Sequence, residues 1–320
     1  LPEFIVGNPL RKMVRKHEFL RRLLWRVDFA LIWILLTLFR LLPVEWASTL
    51  GAKVGAFIGP LIRRKTAIME ENFRIVFPGK SPNEIKHQAK ACWSSAGRVL
   101  SEYPHLDRIL NDQGDQRLEV IVHDQALTLR DRKGPAIVIG AHLSNWELSA
   151  FALGRLGIVN SVLYTPLTNP WLDRLLLESR AALNCELLPR DNSARLLVER
   201  LKTGGTIGML VDRPVAGGKP VPFFGREKST TLMPAKLALK FDCDLIPSRV
   251  ERIKGAHFRV TYLPPVRPAN PDDCKNDQAL DMMRQLHQLF ESWIRQRPED
   301  WFCSTRVWPK ARPGNLEKVR

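Results

Sequence analysis

Hydrophobic and polar positions along the chain fall into two kinds of block. Short, nearly continuous apolar runs read as strands buried on both faces, and longer stretches with apolar residues three or four positions apart read as helices. The strand-like runs are 118–122, 135–141, 159–164, 186–188, 206–211, 244–251 and 258–263. Helical patterns fill 126–132, 147–156, 169–183, 193–202 and 233–241, and a long one closes the series at 277–296. Residues 66 to about 110 also read as helical. There Ser81-Pro82-Asn83-Glu84 is a helix start, with serine as N-cap, proline in the first turn and a glutamate completing a capping box. Asn169-Pro170 is a second cap. Strand–helix alternation at this spacing predicts an α/β fold with a mostly parallel central sheet flanked by helices. No internal repeat, low-complexity segment or polar linker divides it.

The N-terminal region has a different pattern. Residues 29–39 are almost wholly apolar, yet eleven residues are too few to span a bilayer as a helix, which takes about 20. Extending the segment to 23–42, up to Pro43, gives the length but takes in Arg26, Asp28 and Arg40. Such end charges can reach the interface. The segment therefore reads as a membrane anchor, either tilted, half-inserted or interfacial, with a buried core helix as the alternative. Cations flank it on both sides: Arg11, Lys12, Arg15, Lys16, Arg21 and Arg22 before, Arg63, Arg64 and Lys65 after. That favours a segment dipping into one leaflet over a spanning helix, whose flanking charge is one-sided. No small-residue cleavage site follows the run, so a cleavable signal peptide is not expected. The expected division is a basic anchor region at 1–65 and an α/β domain at 66–320.

A formal net charge of +16 adds that the partners are acidic: anionic lipid, an acidic carrier protein or nucleic acid. Five scattered cysteines, with no C-x-x-C, indicate neither a disulfide framework nor a zinc site. There is no Walker A run, no dinucleotide fingerprint and no G-x-S-x-G elbow. No metal or cofactor is expected.

The candidate chemistry centres on His142-Leu143-Ser144-Asn145-Trp146-Glu147, directly after the strand at 135–141. The carboxyl end of such a strand is where α/β folds place ligands. Five positions suit a histidine on the turn out of the strand and a glutamate on the first turn of the next helix. A carboxylate there can hold one ring nitrogen and leave the other as a general base. None of the other six histidines has Asp or Glu five residues on. Arg190 closes a short strand ahead of a helix, where it can hold a phosphate, or be a solvated loop arginine. Arg180, on the preceding helix, and Asn145 are further substrate-binding candidates. Asp212 ends a strand, a position from which it too can face the site. Phe223 and Phe224 can wall an acyl pocket or pack in the core, and Gly217-Gly218 gives a loop able to close over a ligand. Lys219, Arg226 and Lys228 make that loop basic, or are solvated charges. Interleaved Trp and Arg/Lys at 301–312 suit a membrane interface or a packed tail.

The His142–Glu147 stretch resembles the H-x-x-x-x-[D/E] box of the lysophospholipid acyltransferase superfamily, in the branch of the bacterial lipid A late acyltransferases. Four more stretches agree in order and rough spacing: Asn72 with Phe77-Pro78, the 164–170 loop, Asp212 with Val221-Pro222-Phe223-Phe224-Gly225, and Asp300-Trp301-Phe302 with Arg306 and Trp308. The resemblance covers about 20–313. It implies a glycerol-phosphate-acyltransferase-like α/β fold and an N-terminal anchor at the bacterial inner membrane, with the active site on the cytoplasmic side. It implies acyl carrier protein as donor and a Kdo-bearing lipid A precursor as acceptor. His142 would be the base and Glu147 its support, with Arg190 and Asp212 serving acceptor binding or site support. His-x-x-Asn-Trp-[D/E] and the Phe-Phe-Gly box also resemble the actinobacterial phosphatidylinositol mannoside acyltransferases, which use acyl-CoA. A basic face that recruits an acidic carrier and a phosphorylated glycolipid accounts for the charge without nucleic acid. The competing readings are a non-catalytic anionic-lipid or nucleic-acid binder and an esterase using water.

Overall fold

The structure is a computed structural model and describes residues 17–111, 116–131, 134–180, 185–190 and 193–309. The strands are β1 (Leu118–Val122), β2 (Ala136–Gly140), β3 (Asn160–Tyr164), β4 (Glu186–Pro189), β5 (Thr206–Leu210), β6 (Lys219–Phe223), β7 (Arg226–Thr230), β8 (Asp244–Lys254) and β9 (His257–Tyr262). The helices are α1 (Glu18–Leu41), α2 (Val44–Ile58), α3 (Arg63–Val76), α4 (Pro82–Glu102), α5 (Leu106–Asn111), α6 (Leu127–Arg130), α7 (Leu148–Arg155), α8 (Pro170–Ser179), α9 (Ser193–Lys202), α10 (Met233–Phe241) and α11 (Lys275–Gln296).

Seven strands form one sheet in the order β1-β9-β8-β2-β5-β3-β4, in which the β8–β9 pairing is antiparallel and the others are parallel. The expected α/β architecture is present. β2 is buried along its whole length because its neighbours β5 and β8 and two helical layers enclose it. Its odd residues Ile137 and Ile139 join the core formed with α9, α10 and α11. Its even residues Ala136 and Val138 face α7 on the other side. The Ser81–Glu84 capping box forms in both directions, and Asn169 caps α8 through the amides of Trp171 and Leu172.

The apolar 23–42 segment lies within α1, and Pro43 ends that helix as expected. Among the described residues no helix is long and apolar enough to cross a membrane. The upstream cations Arg11, Lys12, Arg15 and Lys16 lie outside the described residues, as do Arg132 and residues 181–184 at the ends of two expected helices. α2 packs on α4 through its smallest residues. A Cβ added at Gly55 would lie 2.3 Å from the Trp93 carbonyl oxygen, and one at Gly97 would lie 2.1 Å from that of Gly51. This close approach turns the bulky side of α2 outward. Trp46, Leu50 and Phe57 are exposed there, with Leu61 just beyond the helix, and α1 exposes Phe19, Leu23, Val27, Leu31, Ile34, Leu38 and Leu41 at helical spacing.

The basic loop expected after Asp212 contains a hairpin. β6 and β7 pair around Phe224-Gly225, both with positive φ, as a two-residue turn of this hand requires. Pro220 and Pro222 hide β6 from the sequence pattern, and a two-stranded ribbon tolerates them because each strand has a free edge.

Candidate active site

His142 sits two residues beyond β2, at the centre of a tight turn closed by Leu143 N–H to Ala141 O at 2.7 Å. Ser144 follows with φ of 52°. The turn is held from outside by the C-terminal segment. Leu143 forms a β-bridge with Trp301, Ser144 N–H donates to Asp300 O and Phe302 N–H donates to His142 O, both at 2.9 Å. Asn72 in turn secures that segment, donating to Cys303 O and Thr305 O at 2.8 Å each, and Arg306 pairs with Glu71. The first and last motifs of the sequence thus meet under the histidine.

The carboxylate on His142 is Asp212, not Glu147. His142 Nδ1 lies 2.6 Å from Asp212 Oδ1, while Trp301 Nε1 donates to Asp212 Oδ2 at 3.1 Å. Asp212 is fully buried two residues past β5, and β5 pairs with β2, so both side chains leave the sheet at one edge. Burial works to raise the Asp212 pKa. The charge and hydrogen bond of His142, with Arg213 and Lys228 nearby, outweigh burial and hold it well below the usual carboxylate range. With Asp212 ionised, Nδ1 carries the ring's proton and Nε2 is the nitrogen left for the cavity that His142 lines.

Glu147 directly precedes α7, in the first turn as expected, but its oxygens are occupied. Tyr103 Oη donates at 2.6 Å, Trp146 Nε1 at 3.1 Å and Arg180 Nε at 3.0 Å, with Arg180 Nη2 as a fourth donor. Burial and then Glu147 push the Tyr103 phenol well above its ordinary pKa. Burial also disfavours the Arg180 charge, but Glu147 and Tyr103 outweigh it and Arg180 is held fully protonated. Glu147 reaches His142 only through Trp146, whose ring centroid is 5.3 Å from the imidazole and which stacks on Phe302.

These groups surround a cavity of about 1030 Å³. Its polar lining includes His142, Glu147, Arg180, Arg190 and Arg213. Its apolar lining includes Val138, Leu153, Val162, Leu187, Gly208 and Leu210, from α7 and the sheet. Arg190 is exposed, with its amide tied to Tyr164 O at 2.8 Å. Asp191 and Asn192 beside it are outside the described residues.

Three expected substrate contacts lie elsewhere. Asn145 is fully buried and donates to Glu102 Oε2 at 3.0 Å, within a cluster that includes Arg252, so it braces the turn. Phe223 and Phe224 do not line the cavity. They pack with Trp301 and Trp308 because the hairpin turns them into the core. Lys228, read as a basic loop residue, is wholly buried, donating to Val211 O at 2.8 Å and Asp212 O at 3.1 Å. Burial lowers its pKa to about 8 against the pull of Asp212. The sequence signal for this role was faint: one lysine at an inward position of β7, a short polar strand whose partner β6 is masked by prolines.

A histidine with a buried carboxylate on one nitrogen and a large, part-apolar cavity on the other can deprotonate a hydroxyl beside an acyl chain. Comparison with known proteins agrees with that chemistry. The sequence profile described as bacterial lipid A biosynthesis acyltransferase matches residues 14–310. The lipid A biosynthesis palmitoleoyltransferase of Escherichia coli K12 is 23% identical over 303 residues, covering 93% of this chain and 95% of its own. The lauroyltransferase of the same organism is 24% identical over 284 residues, covering 86% and 89%. A phosphatidylinositol mannoside acyltransferase of Mycobacterium tuberculosis is 23% identical over 178 residues, 54% of each chain. This chain is an acyltransferase and belongs to the bacterial lipid A biosynthesis acyltransferase family.

Proposed function

We propose that the protein moves a fatty acyl chain from acyl carrier protein to a hydroxyl of a Kdo-bearing lipid A precursor, at the cytoplasmic face of the bacterial inner membrane. The observation that carries this reading is the His142–Asp212 pair opening onto the cavity. In the proposed step His142 Nε2 takes the proton of the acceptor hydroxyl as its oxygen attacks the thioester carbonyl. Asp212 fixes the ring's tautomer and offsets the imidazolium charge that forms. Collapse of the tetrahedral intermediate expels the thiol, which recovers the proton. Arg213 and Arg180 supply positive potential at the cavity wall for the oxyanion. Glu147 is a positioning residue that holds Arg180 and Trp146. No cofactor is required beyond the acyl donor.

The exposed faces of α1 and α2 support membrane docking. Small residues inside and large apolar residues outside is the arrangement expected of a surface that meets lipid, with Arg21, Arg22 and Arg26 for anionic headgroups. α1 also touches the cavity wall: Asn169, which lines the cavity, donates to Trp25 O at 2.9 Å, and Phe29 packs on the neighbouring Trp171. An acyl chain or lipid acceptor would enter beside the lipid surface.

A second reading, acyl-CoA as donor and a phosphatidylinositol mannoside or phospholipid as acceptor, draws support from the mycobacterial relative. Purified protein offered both donors and both acceptors separates the two. The His142→Ala variant is expected to lose transfer while still binding anionic vesicles. Undiminished transfer would overturn the mechanism, and release of free fatty acid in place of acylated lipid would make the protein an esterase.

A further inference from the structure

Three residues that line the cavity carry a buried polar atom without a partner, Asn160 (Oδ1), Arg213 (Nε) and Thr305 (Oγ1), and the last two are donors able to meet an anion. They reach the cavity from separate parts of the chain. Arg213 follows Asp212 at the exit of β5, and Thr305 belongs to the C-terminal segment that clamps the His142 turn. Buried guanidinium and hydroxyl groups normally have their hydrogen bonds satisfied, so two such orphans on one cavity point to a ligand. Charge points the same way. Among the described residues no carboxylate forms a salt bridge with Arg213: Asp212 attracts it by charge, but its two oxygens are hydrogen-bonded to His142 and Trp301. Lys65 stands close by, its ammonium donating to Ser304 O at 3.2 Å, next to Thr305. Burial, then Arg213 and Arg64, lower the Lys65 pKa, and burial lowers that of Arg213. The protein thus holds two cations, Arg213 and Lys65, and a free hydroxyl, Thr305, beside its reaction centre.

We propose that Arg213, Lys65 and Thr305 form a phosphate-ester subsite beside the acyl-transfer centre. A phosphate carries up to about two negative charges and three acceptor oxygens, and so matches a guanidinium, an ammonium and a hydroxyl better than a single carboxylate does. The proposal rests on the acyl-transfer reading of His142 and adds what that site grips. Phosphate esters occur on both sides of the proposed reaction, on the phosphopantetheine arm of the donor and on the phosphorylated acceptor. The subsite would set how far the reacting carbonyl and hydroxyl lie from His142.

The test uses the full chain as wild type, Arg213→Gln, Arg213→Lys and Thr305→Val. One arm compares an acyl-phosphopantetheine donor with the acyl-pantetheine thioester that lacks the phosphate. The other compares the phosphorylated acceptor with the same acceptor after phosphatase treatment. Wild type is expected to favour the phosphorylated partner in kcat/KM in one arm. Arg213→Gln should erase about 10- to 100-fold of that ratio, the range for a lost hydrogen bond to a charged group. Arg213→Lys should retain part of it, and the nearly isosteric Thr305→Val should erode the same ratio a few-fold. The arm that responds names the source. Ratios unchanged in both arms, or rates falling equally with and without phosphate, would overturn the subsite. Calorimetric titration with inorganic phosphate at fixed ionic strength separates this from failure of the acyltransferase mechanism. If no acyl transfer is found, binding weakened about tenfold by Arg213→Gln still supports the subsite, and equal binding refutes it.

Discussion

Replacing Asp212 by asparagine tests the assignment of the histidine's partner. Asp212 accepts from two donors, His142 Nδ1 at 2.6 Å and Trp301 Nε1 at 3.1 Å. Asparagine offers one acceptor oxygen and one amide that can only donate. If the oxygen stays with Trp301, the amide faces Nδ1, and the imidazole must shift its proton to Nε2, the nitrogen proposed as base. If the oxygen stays with His142, Trp301 Nε1 faces a donor inside the core. Each arrangement strands a buried group at a cost of about 1–3 kcal/mol, and both remove the negative charge that balances Lys228 and Arg213. For a catalytic histidine elsewhere, the same change costs about 10⁴ in kcat, and here a loss of about 10³ to 10⁴ is expected, about 4–5 kcal/mol of barrier.

Glu147→Gln is the matched comparison. It leaves the His142–Asp212 contact intact and removes the charge opposite Arg180. Breaking such a buried pair costs about 3–5 kcal/mol of stability, so Glu147→Gln is expected to lower the melting temperature and to cut kcat by only about tenfold, through Trp146. Single-turnover transfer of a labelled acyl chain, paired with thermal melts, measures both effects. The opposite order, with Asp212→Asn keeping most of its turnover and Glu147→Gln losing about a thousandfold, would refute the geometry and restore the local His–Glu pair.

Lys228→Met should change how stability depends on pH. The Lys228 pKa is lowered to about 8, so between about pH 8 and the ordinary lysine value the unfolded chain binds more protons, and wild-type stability rises with pH through that window. The variant lacks this rise, so its stability relative to wild type should be more favourable at pH 7 than at pH 10 in urea melts, and a pH-independent difference would contradict the buried ammonium. Gly97→Ala should destabilise by about 1–3 kcal/mol or more, because its Cβ meets the backbone of Gly51. An unaltered denaturation midpoint would show that α2 and α4 do not pack this closely. Trp46 and Phe57 are exposed, so replacing both by serine should leave the melting temperature alone. At about 1.5–3 kcal/mol for each buried side chain, the double variant should weaken sedimentation with anionic vesicles by at least about a hundredfold, and equal sedimentation would remove α2 from the membrane face.

The sheet was legible because β2 and β5 are apolar runs bounded by turn residues, and burial on both faces leaves little else for such runs to be. The caps at Ser81 and Asn169 were legible because capping is a local interaction. The β6–β7 hairpin was not, since Pro220 and Pro222 argue against a strand unless its edges are known to be free. The inward face of α2 was hidden for a related reason. Gly51 and Gly55 carry no hydrophobic signal, and their value lies in how near Gly97 and Trp93 can come.

The site shows the same limit more sharply. His142 could be placed from its strand alone, but its partner could not. A carboxylate five residues on can hold an imidazole only if the intervening turn brings it back. Here the turn is tied outward to residues 300–302, and Glu147 begins α7 facing Tyr103 and Arg180. The vacant position on Nδ1 is filled by Asp212, 70 residues away in sequence yet two residues past the strand paired with β2. Two parallel neighbours deliver their carboxyl-terminal residues to one edge, so the end of β5 is the nearest place from which a carboxylate can reach the end of β2. The pairing of strands, not the spacing within the motif, decides which acid serves the histidine. That is why the Asp212 and Glu147 substitutions, and not one at His142, discriminate between a local dyad and one assembled by the sheet.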